Sequence, residues 1–125
     1  MLQILLVAIG GALGSVGRYL AGVHITRLMG AGFPYGTLTV NIVGSFLIGL
    51  LVELLARKLN GSMDLRLFLV VGFLGGFTTF SSFSLDALAL FERGATLAAA
   101  AYILASLILS LAAVFAGLLL GRSLL

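Results

Sequence analysis

Apolar residues run along this chain in four long stretches, and polar positions both separate and interrupt them in a regular order. The stretches cover about 2–23, 36–55, 66–91 and 95–120. Each is long enough to match the roughly 20 residues that carry a helix across the hydrocarbon core of a bilayer. The pattern predicts a single all-α transmembrane domain over 1–125, made of four membrane-spanning helices. The start of the chain reads as the first span rather than as a cleavable leader. Short connections, among them a turn at Asn60-Gly61-Ser62, favour antiparallel helices packed as sequential neighbours, with both termini on one side.

The polar and small positions inside these stretches are not scattered. The first carries Gly10, Gly11, Gly14, Ser15, Gly17, Ala21 and Gly22, which allow close helix approach, and is interrupted by Arg18. In the second, which follows Pro34, Thr37, Asn41 and Ser45 repeat at helical spacing on one face, with Gly44 and Gly49 as contact points. Tyr102, Ser106 and Ser110 form a similar stripe on the fourth. The third holds Gly72, Gly75 and Gly76, followed by the run Phe77-Thr78-Thr79-Phe80-Ser81-Ser82-Phe83-Ser84. Glycine weakens helix, and hydroxyl side chains compete for its backbone bonds. A break is expected there, with Gly75 to Thr79 partly unwound. The alternative is an ordinary helix whose hydroxyls bond to their own preceding turn.

Lipid offers no partner to loose backbone groups, so such a run must face protein, an ion or water. That requirement points to a permeation path rather than to a catalytic cleft. Asn41 is either a lining residue or glue between helices. Phe80 and Phe83 are either packing or rings whose positive edges meet an anion. Carbonyls freed near Gly75 to Thr79 can hold a cation at mid-membrane. Arg18 is either a vestibule charge or an interfacial anchor. Asp86, one turn beyond Ser82, is expected to be paired or at an aqueous mouth. Glu53 is spaced to pair with Arg57.

Composition narrows the classes further. Hydrophobic residues make up 62% of the 125 and charged residues 9%, against about 25% charged in a soluble domain. The net charge of +3 forms no basic stripe, so nucleic acid is not an expected partner. Cysteine is absent, which removes disulfides and thiolate metal sites. With four acidic residues, one histidine and no recognisable catalytic motif, an enzyme is not expected. Arg57, Lys58, Arg66 and Arg122 fall on the side of the termini, against Arg27 and Arg93 with His24 nearby on the other. That modest bias favours cytoplasmic termini and leaves insertion in both orientations open.

The segments Gly-Thr-Leu-Thr-Val-Asn at 36–41 and Gly-Gly-Phe-Thr-Thr-Phe-Ser-Ser-Phe-Ser at 75–84 resemble those of the small microbial fluoride channels, often called Fluc. The resemblance covers essentially the whole chain. It implies passive export of fluoride across a bacterial inner membrane by an antiparallel, dual-topology homodimer enclosing two pores. It also implies that Asn41 faces the pore and that Phe80 and Phe83 present ring edges to fluoride. Thr39, Ser81, Ser82 and Tyr102 would form a hydroxyl track, with Ser106 and Ser110 facing the pore from the fourth helix. Arg18 would stand near an aqueous vestibule. Carbonyls of Gly75 and Thr78, from both subunits, would hold a central structural sodium ion. Many relatives of this kind carry Thr at the position of Ser82 and Glu at that of Asp86. The residues agree with a dimer, since one four-helix chain can hardly seal a hydrated path from lipid.

Two other functions compete. A proton-coupled exporter of lipophilic cations needs a membrane-embedded carboxylate, and the first stretch has none, while Glu53 and Asp86 lie toward segment ends. A structural membrane subunit would use the glycines and hydroxyls as packing glue alone.

Overall fold

The computed structural model describes residues 1–58 and 61–124. Four helices long and apolar enough to cross a membrane are present: Leu2–Met29, Tyr35–Arg57, Met63–Glu92 and Thr96–Leu124. No strand occurs among the described residues. All four spans extend beyond the stretches expected from hydropathy. The first continues through His24, Thr26 and Arg27, because polar residues beyond the hydrocarbon layer do not by themselves end a helix. It stops at Gly30, whose φ of 87° few other residues adopt. Asn60 of the expected turn lies outside the described residues. Its neighbour Ser62 opens the third span, the hydroxyl accepting the Leu65 N–H at 3.3 Å.

The spans alternate in direction as expected, but the tightest pairs are not sequential neighbours. The first span lies along the first half of the third, and the second along the fourth. Glycine decides both pairings. A Cβ at Gly14 would overlap the carbonyl of Phe73, and one at Gly10 would overlap that of Phe68. From the other side, Gly72 and Gly76 bring their backbone onto Val7, Gly11 and Ser15. In the second pair, Gly49 faces the carbonyl of Val114, and Gly117 that of Phe46. Contacts advance together along both members, so each pair is parallel, as two helices separated by one antiparallel neighbour must be.

Polar clasps close the two ends of the bundle. At one, Glu53 is buried and accepts Arg122 Nε at 2.8 Å, with Arg57 Nε at 3.4 Å from its other oxygen. The expected helical pair of Glu53 and Arg57 is thus present, and Arg122 extends it to the fourth span. At the opposite end, Arg93 Nη2 donates to the Gly32 carbonyl at 3.0 Å, tying the third span to the loop after the first.

The third span is built in pieces. Met63–Arg66 is α-helical, Leu67–Leu74 is π-helical and Gly75–Phe77 returns to α. The helix then stops, and Ser81–Glu92 forms its second half. The break is therefore real but begins later than expected. Gly75 remains helical because its neighbour Gly76 is held against the first span, and Thr78 is the residue that turns extended, with ψ 161°. A small core of Phe83, Leu90, Ala99 and Tyr102 joins this second half to the fourth span. Outer residues such as Ile9, Leu13 and Val16 on the first span, and Leu104, Ile108 and Phe115 on the fourth, are exposed from the bundle, as lipid-facing or partner-facing surface requires.

Gly14→Ala should lower thermal stability in detergent by about 1–3 kcal/mol through overpacking against Phe73. Gly22→Ala, where an added Cβ meets nothing within 4 Å, should not lower the melting midpoint, since alanine also favours the helix.

Candidate functional site

A helix that stops inside a membrane leaves amides and carbonyls without partners. Specific side chains satisfy part of this break. Thr79 N–H, which a continuous helix would aim at the Gly75 carbonyl, donates to Asn41 Oδ1 at 2.8 Å. The Asn41 amide returns the bond, its Nδ2 donating to the Thr79 carbonyl at 2.9 Å. Asn41 thus serves the Thr79 residue as a neighbouring strand would. Arg18 Nε donates to the Gly76 carbonyl at 3.1 Å, and Arg18 Nη1 reaches Ser82 Oγ at 3.4 Å.

The hydroxyls divide between two jobs. Thr78 Oγ1 donates to the Leu74 carbonyl at 2.8 Å and Ser84 Oγ to that of Phe80 at 2.9 Å, so these two bond within their own preceding turn. Thr79 Oγ1 accepts the Ser82 N–H at 3.0 Å and caps the second half of the span. Both alternatives read from the sequence therefore hold in part: the helix is broken, and some of its hydroxyls bond backward. Because the Thr79 and Ser82 amides go elsewhere, the carbonyls of Gly75 and Thr78 lose their helical partners.

Two clefts lie around this region, and only the smaller is lined by residues of the break itself. One, of about 390 Å³, collects Asn41, Ser45, Gly75, Thr78, Thr79, Phe80, Phe83, Ser106 and Ser110. Ser106 is buried and its Oγ has no hydrogen-bond partner among the described residues, a cost that water or a bound anion would relieve. Phe80 is 74% exposed although it lines this cleft, so the cleft opens at the flank of the bundle. The other, of about 740 Å³, is lined by Arg18, Arg27, Phe33, Thr37 and Asp86 among others. Thr39, Ser81, Ser82 and Tyr102 line neither of these two clefts.

Tyr102 stands between them, fully buried. Its ring lies 5.2 Å from that of Phe83 and 5.5 Å from that of Phe33, the latter edge-on. Phe80 and Phe83 follow at 5.5 Å. The Tyr102 hydroxyl donates to Asp86 Oδ2 at 3.3 Å. A ladder of rings thus runs from the smaller cleft to the larger, with Asp86 paired at the mouth of the latter. Sequence reading did not include Phe33 or link Asn41 to Thr79. The only local signal was a threonine three residues before Ser82, the spacing of a helix cap.

Asn41→Leu should strand the Thr79 N–H and carbonyl and cost about 1–3 kcal/mol for each, seen as a fall in the thermal midpoint. Thr79→Val keeps that backbone pairing and should cost about 1 kcal/mol, the loss of a cap.

The family described as CrcB-like protein, Camphor Resistance (CrcB), matches residues 5–118. A protein of Agrobacterium fabrum named fluoride-specific ion channel FluC is 72% identical over 99% of both chains. Proteins of the same name from Rhizobium etli and Chelativorans sp. are 62% and 54% identical, over 99% and 100% of both chains. A match of this extent, over all four spans and the broken third helix, makes the chain a member of the CrcB-like family.

Proposed function

We propose that this chain is a passive fluoride-selective channel of the bacterial cell membrane, spanning it several times and letting cytoplasmic fluoride leave. The observation that carries the reading is the 72% identity, over 99% of both chains, to a fluoride-specific ion channel. Fluoride that enters as neutral hydrogen fluoride ionises inside and is trapped; a channel returns the anion down its electrochemical gradient. Of the four acidic groups, Asp64 and Glu92 stand at the ends of the third span, and the two further inside are engaged: Glu53 by Arg122 and Arg57, Asp86 by Tyr102.

The smaller cleft is the proposed path. Fluoride is small and strongly hydrated, so a path must replace water with donors that do not trap it. Ser106, Ser110 and the unused capacity of Asn41 supply hydroxyl and amide donors, and the Phe80 and Phe83 rings supply positive edges. The Tyr102 hydroxyl and those of Thr39, Ser81 and Ser82 would extend the polar track, and Arg18 and Arg27 would draw anions to the larger cleft. A second, antiparallel copy would close the open flank at Phe80. It would also bring two breaks together, so that Gly75 and Thr78 carbonyls from both subunits surround one sodium ion. The fit is chemical: sodium takes oxygen ligands, and these carbonyls have lost their helical partners. When bound, the ion would supply positive charge that offsets an anion in a low-dielectric site.

Liposomes holding the purified protein should release fluoride and retain chloride. Comparable chloride release would end the selectivity reading, and proton-driven cation movement would favour an exporter. Phe80→Ile should cut fluoride efflux by at least about tenfold, the rate equivalent of the ~1.4 kcal/mol within the range of one aromatic contact, while size-exclusion chromatography still reports a dimer.

A further inference from the structure

We infer that Arg18 is a positioning residue that spans the break in the third helix and fixes how its two halves sit. The geometry is specific. Arg18 belongs to the first span, yet its Nε holds the carbonyl of Gly76, before the break, at 3.1 Å. Its Nη1 reaches Ser82 Oγ, after the break, at 3.4 Å. In a continuous helix the Gly76 carbonyl would receive the Phe80 amide; here the guanidinium takes that place. Only a planar, forked cation can serve two acceptors on separate chain segments with one rigid group. The Nε bond is the anchor, and the longer Nη1 bond is the adjustable arm.

The surrounding contacts leave this arm as a defined link across the gap. Gly76 is pressed on Gly11 and Ser15 of the first span, so the half before the break is fixed to the helix that carries Arg18. The half after it is packed on the fourth span through Phe83, Leu90 and Tyr102. Asn41 grips the linking residue Thr79 from the second span. Arg18 is therefore the side chain that joins the two halves directly. The Gly75 carbonyl belongs to the peptide unit next to the one Arg18 holds, and Thr78 lies between its two contacts, Gly76 and Ser82, so the aim of both carbonyls depends on it. An electrostatic role in drawing anions would need only the charge. A positioning role needs the fork.

Arg18→Lys separates the two, since it keeps the charge and loses the fork. The experiment compares wild type, Arg18→Lys and Ser82→Ala by amide hydrogen exchange in nanodiscs and by fluoride efflux at low and saturating fluoride and at two ionic strengths. Positioning predicts that amides of 78–82 exchange about tenfold faster in Arg18→Lys, as expected for loss of a charge-assisted bond, while those of 2–14 do not change. It also predicts a fall in efflux at saturating fluoride, with the ionic-strength dependence of wild type. Ser82→Ala should show the same pattern, weaker, at 80–82. Wild-type exchange over 78–82 in Arg18→Lys overturns the inference, as does a loss of efflux confined to low fluoride. Should Arg18→Lys fail to assemble, wild-type exchange in Ser82→Ala overturns the bridge. The exchange measurements need no transport, so a failure of the fluoride reading leaves wild-type efflux absent and this test intact.

Discussion

Backbone groups in a bilayer must find partners within the protein, and the paired bonds between the Asn41 amide and Thr79 are how this chain meets that demand. Without them, an extended residue halfway along a membrane helix would carry a bare donor and acceptor in lipid. With them, the third span can stop and restart. Everything functional in the fold follows from that allowance: the loss of helical partners by Gly75 and Thr78, the capping of the second half by Thr79, and the exposure of Phe80 beside the cleft. The side chain that secures the break also lines the smaller cleft, so the adhesive reading of Asn41 does not compete with the proposed lining one.

The architecture makes this local solution rigid. Glycine contacts lock the first span to the half of the third before the break, and others lock the second span to the fourth. Asn41 comes from one pair and Thr79 from the other, so the latch joins the pairs. The small ring-lined core does the same at the half after the break. Two rigid parallel pairs joined at their centre leave little freedom for the cleft to change width, which suits discrimination among ions by size and hydration.

Much of this was legible in the residues. Hydropathy marked four spans, although polar ends such as His24 to Arg27 extend the first because helices continue into the interface. The hydroxyl run marked the break, but its place shifted. Gly75 and Gly76 read as helix weakeners, whereas Gly76 is occupied in close packing and the chain opens at Thr78. The glycines of the first span announced a close partner without naming it, since small residues identify a contact and not its other side. The π-helical turn gave no signal, because Leu67–Leu74 is almost wholly apolar and periodicity needs contrast. The reach of Arg18 to both Gly76 and Ser82 was equally silent, being separated by 58 and 64 positions in sequence.

That π-helical turn has a consequence for how such chains can vary. It holds more residues per turn than an α-helix, with the Gly75 amide shared between the carbonyls of Val70 and Gly72. Loss of one residue there can be absorbed by tightening to ordinary helix, keeping downstream side chains near their bearings. The same deletion between 81 and 92 has no slack to draw on and would rotate one side of it against the other by about 100°. Length drift in the third span should therefore be tolerated ahead of the break and purged behind it.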